Sequence, residues 1–186
     1  MNYELFRAIN DLHEGTLFDP VMRFVASSLV FGAFVVVAIL CLIRAREGAW
    51  RPVLATGAGL GLTYLISLAL AAAHPEKRPF QTHRVHLLLA HAPGQAFPSD
   101  HATAAFGIAL AVLVFLSWRW GVGLFLVALV IGFARVYVGI HYPGDIAGGL
   151  VAAVLGVGAA ALVDHSIRRA RTAGRSGTVS MGSVGA

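Results

Sequence analysis

Five long runs of apolar residues, separated by shorter polar segments, dominate the chain of 186 residues. A helix needs about 20 apolar residues to cross the hydrocarbon core of a bilayer. Because backbone polar groups in lipid have to pair within their own segment, each run predicts a membrane-spanning helix. The predicted spans are residues 21–43, 52–73, 101–117, 120–138 and 146–163. The expected fold class is an all-α integral membrane protein, a bundle of about five transmembrane helices.

The two ends of the chain follow other patterns. Residues 1–14 predict an amphipathic helix that lies in the membrane interface, because apolar side chains recur there at helical spacing, at Leu5, Phe6, Ile9 and Leu12. Residues 170–186 are rich in Gly, Ser and Thr with scattered Arg, which predicts a disordered basic tail. Residues 1–169 are expected to form a single membrane-embedded domain. Within it, Gly57 and Gly61 indicate close helix packing.

Composition supports the membrane assignment. The chain is 58% hydrophobic and 12% charged, whereas soluble domains carry about 25% charged residues. The net charge of +5 comes mostly from arginines near the ends of apolar runs, so we expect no nucleic-acid partner. Cys41 is the single cysteine, which excludes a disulfide within the chain.

Five crossings divide the polar segments between two faces. The face that carries the N-terminus, named here the N-terminal face, also receives the one long loop, residues 74–100. It holds six Lys and Arg, whereas the opposite face holds eight. Because cytoplasmic loops carry an excess of Lys and Arg, we expect the opposite face and the C-terminus to be cytoplasmic. The N-terminal face would then be extracytoplasmic.

Polar residues at four helix ends converge on the N-terminal face. Arg78 follows the second span, and Arg135 ends the fourth. Ser99, Asp100 and His101 open the third span, and His141 with Asp145 opens the fifth. Ionisable groups at membrane depth are costly, so this set predicts a functional site.

The residue types suit phosphoryl transfer. Two arginines can bind phosphate oxygens as planar forks, and the start of the third span offers free backbone amides. Asp145 lies four residues after His141, so its carboxylate can accept from one imidazole nitrogen and leave the other free to attack. His101 is placed to donate a proton to the leaving oxygen. This set needs no metal ion and no cofactor.

These segments resemble the type-2 phosphatidic acid phosphatase superfamily, membrane lipid phosphatases related to vanadium haloperoxidases. The resemblance rests on Arg78-Pro79, on Pro98-Ser99-Asp100-His101, and on Arg135 followed at the family's spacing by His141 and Asp145. Three positions depart from the family pattern. Ala71 replaces its lysine, Ala134 its serine and Asp100 its glycine. Lys77 is the candidate replacement for the lysine.

Within the superfamily, the segments RPF and FPSDHA look most like the bacitracin-resistance type of undecaprenyl-diphosphatase. The resemblance implies a hydrolase that removes the terminal phosphate of a polyprenyl diphosphate through a phosphohistidine, in cell-wall biogenesis. It implies that His141 is the nucleophile, His101 the general acid and Asp145 the orienting carboxylate. Phosphate would be bound by Arg78, Arg135 and Ser99, with Asp100 and Lys77 as further candidates.

Other functions remain open from the sequence. The same chemistry could act on phosphatidate or phosphatidylglycerophosphate, which only rates on purified protein distinguish. A non-catalytic metal or haem protein is suggested by the eight histidines, four of which lie in the long loop, at His74, His83, His86 and His91. A transporter is disfavoured because the ionisable residues gather at one face rather than at the midplane.

Overall fold

All five predicted spans are helical in a computed structural model, which describes residues 2–13 and 17–181, with side chains as far as residue 172. The helices are α1 (Asn2–Asn10), α2 (Phe18–Arg46), α3 (Trp50–Ala73), α4 (Pro79–Thr82), α5 (Asp100–Ala111), α6 (Trp118–Tyr137) and α7 (Pro143–Met181). A π-helical turn, Val112–Leu116, follows α5 directly. The transmembrane bundle is therefore confirmed. The short helix α4, within the long loop, was not predicted from the sequence.

Length and hydropathy separate one helix from the other four. Helices α2, α3, α6 and the first 30 residues of α7 are long and apolar enough to cross a membrane. The fifth apolar segment, Asp100–Leu116, is shorter. It ends on the face opposite the N-terminal face, where Arg44 of α2 donates to the carbonyl oxygen of Leu116 at 2.9 Å.

Helix α5 lies at the centre of the bundle. Ala102, Ala105, Phe106 and Ile108 are buried there with at most 2% of their surface exposed. Large apolar side chains on the outer helices are instead exposed, as lipid-facing residues are expected to be; examples are Phe24, Phe31, Leu54, Leu65 and Leu129. The short helix is buried because four neighbours surround it, and its first turn is thereby held at the N-terminal face.

Close helix packing depends on glycines other than the predicted pair. Among the described residues, nothing lies within 4 Å of a Cβ atom placed at Gly57 or Gly61, so that prediction was wrong. On α7, a Cβ atom at Gly149 would lie 2.8 Å from the backbone nitrogen of Thr103, and one at Gly156 would overlap the backbone nitrogen of Thr63. Helix α7 therefore supplies the glycines that let α5 and α3 approach.

The N-terminal helix forms as predicted and also packs on the protein. Phe6 is 1% exposed, and its ring contacts that of Tyr142 at 5.4 Å between centroids. Asn10 is equally buried. Leu5 and Leu12 stay exposed, so only part of the apolar face is left for lipid. Helix α1 is thus a cover over the loop segments of the N-terminal face.

The C-terminal segment differs from the predicted disordered tail. Helix α7 continues to Met181, so residues 170–181 are helical, and residues 182–186 lie outside the described part. Extending an existing helix is less costly than starting a new one, because each added residue gains one backbone hydrogen bond. This explains how a segment rich in Gly, Ser and Thr can continue α7. The ion pair between Arg168 and Asp164, 2.9 Å across one turn, lies just before this extension.

Candidate active site

His141 and Asp145 form a buried pair at the start of α7. The Nδ1 atom of His141 lies 3.1 Å from Oδ2 of Asp145, and the two side chains are 2% and 0% exposed. The same oxygen accepts the backbone amide of Tyr142 at 2.8 Å. Because the carboxylate accepts a hydrogen bond from Nδ1–H, the proton of the neutral imidazole is on Nδ1 and its free lone pair is on Nε2.

Two guanidinium groups face this Nε2 atom. Arg78 NH1 and Arg135 NH2 each lie 3.1 Å from it, and the two side chains are 8% and 3% exposed. Arg78 also donates to the carbonyl of Ile140, and Arg135 to that of Ala26 on α2. The Nε atoms of both arginines are buried without a hydrogen-bond partner among the described residues. The structure thus places Arg78, Arg135 and His141 together, and their roles stay a prediction.

The long loop brings Arg78 to this position by pairing its own two ends. Lys77 and Gln95 form an antiparallel bridge, and the amide of Ala96 donates to the Glu76 carbonyl at 2.7 Å. Gln81 then accepts the backbone amide of Arg78 at 3.0 Å, which fixes the start of α4. Two residues distant in sequence, Arg78 and Ser99, are thereby held beside the same helix end.

Ser99 precedes α5, and its backbone amide donates to the carbonyl of Asp145 at 3.1 Å. Its hydroxyl makes no helix-capping hydrogen bond to the described part of the chain. The Ser99 Oγ atom is buried with no partner among the described residues, whereas Asp100 is exposed. Two guanidinium groups thus face the His141 side chain, and Ser99 at the N-terminus of α5 lies beside Asp145, the partner of His141.

His101 lies in the first turn of α5 and is partly buried. Its imidazole lies near the backbone of Ser27 on α2, next to the Ala26 carbonyl that accepts a hydrogen bond from Arg135. No hydrogen bond joins His101 to His141 in the described part of the chain. The His101 side chain therefore lies beside the segment of α2 that holds Arg135.

The electrostatic environment keeps His141 neutral. Burial lowers the pKa of His141 well below its ordinary value, and the charges of Arg135 and Arg78 lower it further. Burial also lowers the pKa of Arg78, against the opposing effect of Asp100 and Asp145. A neutral imidazole beside two cations is an unprotonated nucleophile in a pocket that attracts anions.

Lys77 is exposed, and no hydrogen bond in the described ranges connects its side chain to His141. Its role as a replacement for the family lysine stays a prediction. Among the loop histidines, His91 lies close enough to Arg78 and Arg135 for their charges to act on its imidazole. Burial is the main cause of the lowered pKa of His91, the two arginines lower it further, and the hydrogen bond to the Ala92 backbone opposes them. The sequence offered no signal that distinguishes His91 from the other three.

Sequence reasoning also missed a support layer beneath the site. Asn10 of α1 donates to the carbonyls of His86 and Tyr137 at 2.9 and 2.8 Å and accepts the amide of His86 at 2.9 Å. The Tyr137 hydroxyl donates to the buried carboxylate of Asp19. No short motif marks such contacts, because they join segments more than 70 residues apart.

Within the described residues, no three His, Cys, Asp or Glu side chains are grouped so that they could hold a metal ion. A groove of about 360 Å³ instead leads away from the site between α2, α3 and α5. Asp100 lies at its polar end, and its walls are mostly apolar, formed by Phe34, Leu60, Tyr64, Ala104 and Ile108. This groove suits a hydrocarbon chain attached to a polar head.

Known proteins share both the sequence pattern and the fold. A sequence model described as "PAP2 superfamily" matches residues 48–169. The undecaprenyl-diphosphatase BcrC of Bacillus subtilis (strain 168) is 38% identical over 160 residues, which are 83% of this chain and 80% of that protein.

Two crystal structures are similar. That of Aquifex aeolicus LpxE has a TM-score of 0.68 at 26% identity, covering 86% of this chain and 93% of LpxE. That of a PAP2 type phosphatidylglycerolphosphate phosphatase from Bacillus subtilis has a TM-score of 0.65 at 19% identity, covering 89% and 85%, and shows the shared fold. With the family match over most of the chain and the extended identity to BcrC, this multi-pass membrane protein belongs to the PAP2 superfamily and is a phosphatase.

Proposed function

We propose that the protein hydrolyses the terminal phosphate of undecaprenyl diphosphate, or a closely related polyprenyl diphosphate, through a phosphohistidine intermediate. The observation that carries the proposal is the His141 Nε2 atom, oriented by Asp145 and faced by two arginines at 3.1 Å. The activity named for BcrC of Bacillus subtilis supports the choice of a diphosphate. Residues 1–169 form the catalytic unit in this proposal.

In the first step, Nε2 of His141 attacks the terminal phosphorus, and the bond to the bridging oxygen breaks. The lipid monophosphate leaves with the electron pair of that bond. Arg78 and Arg135 exchange their contact with Nε2 for the phosphoryl oxygens, where charge accumulates in the transition state. Ser99, with its unpartnered buried hydroxyl, donates a third hydrogen bond.

Asp145 and His101 have separate roles in this sequence of steps. Asp145 keeps the proton on Nδ1 and stabilises the positive charge that develops on the phosphorylated ring. His101 is the general acid for the bridging oxygen, although a lipid monophosphate leaves more readily than an alkoxide and depends less on it. Water then attacks the phosphohistidine, releases inorganic phosphate and restores His141.

The groove between α2, α3 and α5 supports a lipid substrate. It starts at Asp100, beside the site, and continues between apolar side chains toward the middle of the bilayer. A lipid that stays in the membrane can place its chain there while its head group reaches His141. The excess of Lys and Arg on the opposite face supports an extracytoplasmic site in the cell membrane, with a cytoplasmic C-terminus.

Replacement of His141 by alanine tests the proposal. Purified protein in detergent is supplied with undecaprenyl diphosphate, phosphatidylglycerophosphate or phosphatidate, and phosphate release is measured. We expect the highest kcat/KM on the diphosphate and no turnover by His141→Ala, whereas the control His165→Ala, exposed on the opposite face, retains full activity. Turnover by His141→Ala contradicts the mechanism, and a preference for phosphatidylglycerophosphate contradicts the substrate.

A further inference from the structure

A second groove lies on the opposite face, between α3 and α7, and encloses about 500 Å³. One stripe of each helix lines it, with spacings of three and four residues. Its apolar walls are formed by Leu54, Ala58 and Leu62 of α3 and by Ala160, Val163 and Ile167 of α7. Leu54 and Val163 are 70% and 59% exposed, so the groove is open toward lipid.

The polar end of this groove carries an excess of positive charge. Arg51 lies 2.7 Å from the Asp164 carboxylate, and Arg168 lies 2.9 Å from its other oxygen. Arg171 lines the same end. Two guanidinium groups therefore share one carboxylate, and Arg171 adds a further positive charge at this end. Arginine forks are suited to phosphate oxygens.

The length of the groove corresponds to one leaflet of a bilayer. Eleven residues separate Arg51 from Leu62, a rise of about 16 Å along α3. On α7, Asp164 lies beside Arg51, and Arg171 lies about 10 Å farther from the middle of the membrane. The hydrocarbon core is about 30 Å thick, so one leaflet contributes about 15 Å. Trp50, 59% exposed next to Arg51, is an aromatic side chain of the kind that lies at head-group level. The arginines are then at the level of a lipid phosphate and the apolar walls at the level of its chains.

We propose that this groove binds an anionic phospholipid of the leaflet opposite the active site. The phosphate contacts Arg51 and Arg171, and one acyl chain lies between α3 and α7. Charge complementarity selects the anionic head group over a zwitterionic one, whose own cation would face the surplus of arginines. Basic pockets between transmembrane helices commonly bind anionic lipid head groups in this way.

Binding of lipid to the full-length protein in detergent tests the proposal. Native mass spectrometry measures the apparent Kd for phosphatidylglycerol and for phosphatidylcholine with the same acyl chains. We expect phosphatidylglycerol to bind more tightly. Each arginine near an anionic lipid lowers the Kd by a factor of about five. The double variant Arg51→Gln/Arg171→Gln should therefore raise the Kd for phosphatidylglycerol about 25-fold and leave the Kd for phosphatidylcholine unchanged.

Two further variants separate the groove from the general charge of this face and from misfolding. Arg46→Gln/Arg119→Gln removes two exposed charges outside the groove and should weaken phosphatidylglycerol binding less than threefold. Ala58→Phe fills the groove while every arginine is kept, and it should also displace phosphatidylglycerol. Equal losses in the two arginine pairs, unchanged binding by Ala58→Phe, or equal affinities for the two lipids would each overturn the proposal.

Discussion

Replacing Asp145 by asparagine separates the charge of this carboxylate from its hydrogen-bond geometry. Both observed bonds, from His141 Nδ1 and from the Tyr142 amide, go to the Oδ2 atom. The Oδ1 atom is buried with no partner among the described residues. An asparagine can therefore place its carbonyl oxygen at the Oδ2 position and keep both bonds, with the amide nitrogen at the unoccupied Oδ1 position. The tautomer of His141 is retained, and only the negative charge is lost.

The size of the effect follows from the distance. A full positive charge on the imidazole, about 4 Å from the carboxylate charge, is stabilised by about 4 kcal/mol at an effective dielectric constant of 20. If half of that charge has developed in the transition state, the contribution is about 2 kcal/mol. Each 1.36 kcal/mol corresponds to tenfold in rate, so Asp145→Asn should lower kcat by about 30- to 1000-fold. Asp145→Ala also loses the orienting bond and should approach the loss of about 10⁴-fold seen when the orienting carboxylate of a catalytic triad is disabled.

The assay is phosphate release from a diphosphate lipid under single-turnover conditions, with Asp19→Asn as the matched control. Asp19 is another buried carboxylate on the N-terminal face, and it bonds Tyr137 and His13 rather than His141. We expect this control to stay within about threefold of the unmodified protein. An Asp145→Asn rate within threefold as well would refute the assigned charge stabilisation. Equal losses in Asp145→Asn and Asp145→Ala would show that the asparagine does not preserve the tautomer.

Three further predictions concern pH, the turn before His141 and the substrate groove. Because burial and the two arginines lower the pKa of His141, its imidazole stays neutral in mild acid. The acidic limb of the pH profile of kcat/KM should therefore lie below the ordinary histidine pKa of about 6.5. The ionisation of the substrate is measured separately by ³¹P NMR and subtracted from the profile. Arg78→Gln should move that limb upward, and a limb at or above 6.5 in the unmodified protein would contradict the environment described. Gly139 has a φ of +88°, and a Cβ atom there would lie 2.6 Å from the His86 carbonyl oxygen, so Gly139→Ala should destabilise the fold by about 2 kcal/mol or more. Thermal unfolding should show a lowered Tm for Gly139→Ala and no decrease for Gly57→Ala, whose site is open; equal Tm values would exclude the strain. Ala104→Trp should fill the groove beside Asp100 and raise KM for a long-chain diphosphate about tenfold while sparing a short-chain one, and equal effects on the two substrates would argue against chain binding there.

Much of the fold and of the site was readable from the sequence alone. Backbone groups in lipid have to pair within one segment, so each apolar run could only be a helix, and all five were found. Counting crossings then assigned Arg78, Arg135 and His141 to one face without any coordinates. The spacing from His141 to Asp145, with Pro143 between them, likewise determined their contact, because it depends on a single helical turn.

Contacts between distant segments were decided only by the tertiary structure. The sequence favoured Gly57 and Gly61 as the packing glycines, but α7 packs through Gly149 and Gly156 instead, because helix rotation is set by all neighbours together. Packing of distant segments also determines three other features. These are the Asn10 bonds to His86 and Tyr137, the position of His91 near the two arginines, and the two grooves. Periodicity reports which side of one helix is apolar, whereas which helices face each other depends on how the whole bundle packs.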